Sequence, residues 1–213
     1  MNKTNGFNQY PDHLLLPDEY LKKITNKFYN NHGKIEVVGH PAFENINLKY
    51  RKKCDKILII DQPLSENNLT LGYTEFDFYE TMIKFLKLNS IDFKNVDIVV
   101  HPFRKNILKN KLPDFKNYVY SPINFSYNLV VGMFSSLMIY EFLLGSNVVS
   151  FQPKKHCPDP CPLSYHKKIK KFHTLSAFNV AFKKKQLILK KSPLKIFDKS
   201  LEKLSKILLL ENS

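Results

Sequence analysis

From Lys56 to Gln152, short apolar runs alternate with a stretch of helical period, and that alternation admits few folds. Lys56–Asp61 (KILIID), Asp97–His101 (DIVVH), Asn128–Gly132 (NLVVG) and Asn147–Gln152 (NVVSFQ) are apolar on successive residues, as strands covered on both faces are. Lys116–Tyr120 is a weaker run of the same kind. Between the first two, Phe76, Tyr79, Ile83 and Leu86 recur at helical spacing, which predicts an amphipathic helix over Glu75–Leu88. Ser135 is placed to cap a second helix that runs through Leu144 and ends at Gly145, where a left-handed residue is favoured. The expected class is α/β: a Rossmann-like, open, mainly parallel sheet whose ligand sits at the carboxyl ends of the strands.

The flanking segments are less regular. Residues 1–50 read as a lead-in and linker with a helix over Pro17–Phe28 and a strand over Ile35–Val38, stopped by Gly39-His40-Pro41. Residues 51–192 form the sheet domain, and 193–213 a terminal helix starting at Pro193 or Asp198 and ending at Leu210. In that helix Leu201, Leu204 and Leu208 make a stripe, with Ile207 beside it. A content of 43% hydrophobic residues excludes a disordered chain. The longest apolar runs fall far short of the roughly 20 residues that span a bilayer. The start MNKTNGFNQYPDH lacks a secretory pattern, and three cysteines fit a reducing compartment, so a cytoplasmic location is expected.

Charge is uneven. Of the net +14, residues 154–213 hold +11, with 15 lysines against Asp159, Asp198, Glu202 and Glu211. Only Arg51 and Arg104 are arginines, whereas a reader of duplex DNA draws on the guanidinium fork. The lysine-rich end suits peripheral contact with an anionic membrane face.

Three strand ends collect polar chemistry: Asp61-Gln62-Pro63, His101-Pro102-Phe103-Arg104, and Gly132-Met133-Phe134-Ser135-Ser136. Ser135 reads either as a plain N-cap or as part of a helix-start anion cradle. Neither GxGxxG nor GxxxxGK[ST] occurs, which argues against a dinucleotide fold or a P-loop.

The strand-terminal His-Pro (Val99-Val100-His101-Pro102), followed by Gly-x-x-Ser-Ser at Gly132–Ser136, resembles the bacterial sialyltransferases and polysialyltransferases and their capsule and lipooligosaccharide relatives. The run KILIIDQPLSE at 56–66 is also similar to the start of their donor-binding half. The resemblance covers about residues 35–153 and implies the C-terminal, donor-binding domain of a GT-B glycosyltransferase. It implies that His101 and Pro102 contact the cytidine monophosphate of the donor and that Ser135 and Ser136 hold its phosphate. It also implies a glycan or glycolipid acceptor and no cofactor. The family's acid/base belongs to an acidic Asp/Glu-Asp/Glu-Gly triplet in the N-terminal half. Here Asp18-Glu19 is followed by Tyr20, so the catalytic residue is unassigned, and a separate N-terminal half on another chain is one way to supply it.

Other residues have two readings each. Gln62 ends the first strand beside the expected ligand. Arg104 either reaches a sugar carboxylate or phosphate or is a surface charge. Glu141 either meets ribose hydroxyls, as a glutamate on the equivalent helix does in many GT-B enzymes, or is a solvated helix residue. Tyr73 and Glu66 lie in the loop that approaches the donor sugar. Cys157 and Cys161, with His156, His166 and His173, have the residue types of a zinc site but lack a second cysteine pair, so no metal is expected. The runner-up function is a non-catalytic, basic α/β protein that binds nucleic acid or membrane.

Overall fold

A computed structural model describes residues 13–17, 19–28, 33–39, 52–65, 72–100, 104–120, 125–155, 159, 161, 169–187 and 199–210. The chain divides into two units, one of Leu48–Ser192 and a smaller one of Met1–Asn47 with Pro193–Ser213.

In the larger unit, β3 (Lys52–Ile60), β4 (Val96–Val99), β5 (Asn117–Val119), β6 (Phe125–Gly132), β7 (Val148–Phe151) and β8 (Lys170–Phe172) form one six-stranded sheet. Every pairing is parallel, in the order β5-β4-β3-β6-β7-β8. The sheet is therefore the open Rossmann-like α/β class expected. Its helices are α2 (Glu75–Leu88), α3 (Lys105–Lys111), α4 (Leu137–Leu143) and α5 (Leu175–Lys183).

α2 forms where its period requires. Thr74 closes a capping box: its hydroxyl accepts from the Phe76 amide at 3.2 Å, and Asp77 accepts from the Thr74 amide at 2.6 Å. Phe78, Tyr79, Met82, Phe85 and Leu86 make its buried face. That face meets an aromatic layer in which Phe178 of α5 lies 4.5 Å from Phe85 and 5.8 Å from Phe151, ring centre to ring centre. β8 and α5 are thus integral to the core, although beyond Pro153 the sequence pattern loosens. α4 ends as expected, with Gly145 at φ +88.

β3 is longer than its apolar run. Its first half is exposed or half-buried, the register slips between Cys54 and Ile57, and only Ile57–Ile60 enter the core.

The smaller unit holds β1 (His13–Leu16), α1 (Glu19–Phe28) and β2 (Lys34–Val37), with β1 and β2 paired in parallel. The segment read as a lead-in is a βαβ unit; four residues of β1 between polar neighbours are too few to show a period. α6 (Ser200–Leu210) turns Ser200 and Ile207 inward and leaves Leu201 49% exposed. Its inner face therefore runs through Ser200, Leu204 and Ile207, not through Leu201; Leu208's side chain lies outside the described residues. Among the described residues no helix is long and apolar enough to cross a membrane.

Candidate functional site

The chain runs outward from β3 to β4 and β5, then returns to β3's other side for β6, β7 and β8. Strand order reverses between β3 and β6, and in open α/β sheets the crevice above such a reversal is where ligands bind. The ends of β4 and β6 flank β3, with Ile60 level with Val99 and Ile59 level with Val131. Two strand spacings set them about 10 Å apart.

Hydrogen bonds tie the carboxyl ends into a continuous rim. Gln62 Oε1, just past β3, accepts from the Phe134 amide at 3.2 Å, bridging the crevice. The Met133 carbonyl accepts from Ser150 Oγ at 2.5 Å and from Gln152 Nε2 at 3.5 Å. The Gln152 carbonyl bonds His173 Nδ1 at 2.9 Å. Gly132 level with Ser150 and Phe151 level with Phe172 place Phe134, Gln152 and His173 in one row.

Where the strand β6 turns into α4, a Cβ on Gly132 would lie 3.0 Å from Met138 Sδ and 3.1 Å from its Cγ. The glycine of Gly-x-x-Ser-Ser thus lets the helix start close over the strand. Ser135 Oγ accepts from the Leu137 amide at 3.3 Å, so Ser135 ties the turn one residue ahead of α4's N-cap instead of standing at the N-cap as expected. Ser136 is exposed at the N-cap position and makes no side-chain cap hydrogen bond.

Arg104 is neither at the surface nor open to a ligand. It is 2% exposed, and its Nε and an Nη donate to Asp61 at 2.7 Å and Glu75 at 2.8 Å, both carboxylates being fully buried. Asp61 also accepts from Tyr79 Oη at 2.9 Å, and Glu75 from the Ser65 hydroxyl at 2.6 Å and amide at 2.9 Å. Burial pushes the Asp61 carboxyl above its ordinary value despite Arg104. Burial pushes Glu75 the same way, but Ser65, its own amide and Arg104 outweigh it and hold Glu75 below the usual range. For Arg104 burial opposes the charge, and the two carboxylates more than restore it. The cluster fixes the chain leaving β3 against the chain entering α3; both expectations for Arg104 are corrected because its charge is consumed inside the protein.

Glu141 is corrected on similar grounds. It is fully buried and accepts from Ser146 Oγ at 2.8 Å, just before β7 begins. Six residues past Ser135, at 1.5 Å rise each, α4 has carried it down to the amino side of the sheet. Neither ribose contact nor solvation is open to it there.

Tyr73 is buried near the rim; burial and then the Asp159 charge push its phenol up to about 12. Lys154 stands against Gly72, 2.9 Å from where a Cβ would be. Asp159 pairs with Lys171 and accepts from Gln152 Nε2 at 3.2 Å and the Cys161 amide at 2.9 Å. Burial raises this carboxyl, and those three partners bring it below its usual range. It is a tie for its loop. Among the described residues no group of three His, Cys, Asp or Glu is placed to hold a metal, and Cys161 is buried and in no disulfide. His101 and Pro102, with Glu66, His156, Cys157 and His166, lie outside the described residues.

Sequence reading passed over Ser150 and Gln152, which close the rim, and considered His173 only as a zinc ligand. Their signal is position: each sits within one residue of the last residue of a strand. On the opposite, amino edge lies a cleft of about 460 Å³ between Asn128, Asn147, Phe182, Lys183 and Leu187. No protein-family model matches the chain, and no curated protein matches it.

Proposed function

We propose that the chain binds a nucleotide-linked sugar, of the cytidine-monophosphate-sialic-acid kind, at the carboxyl rim of its six-stranded sheet. In this reading it is the donor-binding domain of a glycosyltransferase acting on a glycan or glycolipid acceptor in surface polysaccharide or lipooligosaccharide synthesis. The observation that supports it is the strand order. β4, which ends at Val99 two positions before His101 in sequence, and β6, which leads to Ser135-Ser136, are the two neighbours of β3, so the carboxyl ends of both strands flank one crevice. A separation of about 10 Å is spanned by one nucleotide. Ser136's exposed hydroxyl and the amides at the start of α4 are the groups offered to a phosphate.

A cytoplasmic location, at the inner face of the membrane, goes with this reading. The +11 carried by residues 154–213 would hold the protein near anionic lipid where such acceptors are made. The same charge favours the second reading, a basic non-catalytic binder of membrane or nucleic acid; nucleic-acid affinity falling steeply with salt, without nucleotide saturation, would identify it.

Calorimetry with cytidine monophosphate tests the assignment. A hydrogen bond to a charged group is worth roughly 1.5–3 kcal/mol, so His101→Ala and the double change Ser135→Ala/Ser136→Ala should each weaken affinity about tenfold or more in a folded chain. Unchanged affinity in both variants would remove the donor site from this rim.

A further inference from the structure

Resting on the donor-site reading, we propose that His173 is the proton acceptor of the transfer. The case begins with one hydrogen bond. His173 Nδ1 lies 2.9 Å from the Gln152 backbone carbonyl, which can only accept, so Nδ1 carries the proton. In the neutral ring Nε2 then holds the lone pair, and among the described residues no hydrogen bond occupies it.

Position supplies the second part. β8 ends at Phe172, level with Phe151, so His173 stands beside Gln152, whose side chain reaches the Met133 carbonyl two residues before Ser135. Two strand spacings, about 10 Å, separate His173's strand from that of Ser135. That is the distance at which the sugar of a donor anchored by its phosphate at α4 would meet an acceptor. The ring is half-buried, so it is held by the rim yet reachable. The ionisable groups around the same anchor are already spoken for: Asp159 pairs with Lys171 and bonds Gln152, and Tyr73 is held protonated by its burial and by Asp159. Among the described residues they leave His173 as the rim's open base.

In the step itself, the acceptor hydroxyl oxygen bonds to the anomeric carbon as the bond from that carbon to the phosphate oxygen breaks, its electron pair leaving with cytidine monophosphate. The hydroxyl proton passes to His173 Nε2, and the imidazolium, still donating from Nδ1 to Gln152, later returns the proton to water. Water as acceptor follows the same accounting.

His173→Asn discriminates this role from a structural one. The asparagine amide mimics Nδ1–H and keeps the tie to Gln152, but it has no Nε2. In the full chain we expect cytidine-monophosphate affinity within about twofold of wild type. Release of cytidine monophosphate from cytidine-monophosphate-linked sialic acid, with water or an added glycan as acceptor, should fall by about 10²–10⁴. His173→Gln, which likewise keeps an amide donor and lacks the basic nitrogen, serves if the first variant does not fold; it should abolish release and spare nucleotide binding. Turnover surviving in His173→Asn or His173→Gln, or a wild-type chain that binds nucleotide and releases nothing, would overturn the proposal while leaving the donor site standing. Absence of nucleotide binding in the wild-type chain would instead overturn the donor-site reading beneath it.

Discussion

The two halves of the parallel sheet bury polar groups to different ends. On the amino side Asp97 of β4 takes Lys56 Nζ at 2.9 Å on one oxygen and Tyr127 Oη at 3.0 Å on the other, joining three adjacent strands, and Glu141 takes Ser146. On the carboxyl side the Asp61–Arg104–Glu75 cluster is equally closed, but the rim above it is not. Among the described residues Gln152 Oε1 is buried with no hydrogen-bond partner, Ser136 is exposed with no cap bond, and His173 is bonded through one nitrogen only. A buried amide oxygen left without a donor carries a desolvation cost. Such a cost is kept at sites rather than in scaffolds. The comparison separates residues that hold the sheet from residues that face a ligand, and substitutions on the two sides should divide accordingly.

The largest effect is expected at Arg104. Arg104→Met leaves two buried carboxylates without their counter-charge, and breaking a buried ion pair from one side costs about 3–5 kcal/mol. Urea unfolding of Arg104→Met should show that loss, and adding Asp61→Asn with Glu75→Gln should recover much of it. A stable single variant would mean that the cluster is solvated. On the amino side, Tyr127→Phe removes one hydrogen bond to a buried carboxylate, worth roughly 1.5–3 kcal/mol of stability. Burial, then Asp97, keeps the Tyr127 phenol protonated well above its ordinary value, so this loss should be the same at pH 6 and pH 8. Nucleotide affinity of the folded variant should not change; if it did, the division between scaffold and rim would fail.

How legible these regions were in the sequence follows from how local their causes are. α2 was readable to the residue because Thr74, Asp77 and a period of 3.6 all lie within the segment itself. The Rossmann-like sheet was readable because β3, β4, β6 and β7 are apolar on successive residues. β8 was not: Lys170-Lys171-Phe172 on a sheet edge reads as part of a basic run, and only pairing with β7 makes it a strand. Arg104 was misread because its partners are 43 and 29 positions away in the chain. Glu141 was different, since the rise of a helix already carries it off the rim. The rim's row of Phe134, Gln152 and His173 needed the strand register, which no local pattern supplies.

The central claim is that the carboxyl rim, and not the amino edge, takes the nucleotide. Titrating cytidine monophosphate into the isotope-labelled chain and following backbone amides by nuclear magnetic resonance tests it directly. The account predicts saturable shifts at Phe134, Ser135, Ser136 and Leu137 and, with smaller size, at Gln152 and His173, with Asn128, Asn147, Lys183 and Lys185 unmoved. Shifts confined to those last four, around the amino-edge cleft, or no saturable shift at all, would contradict it.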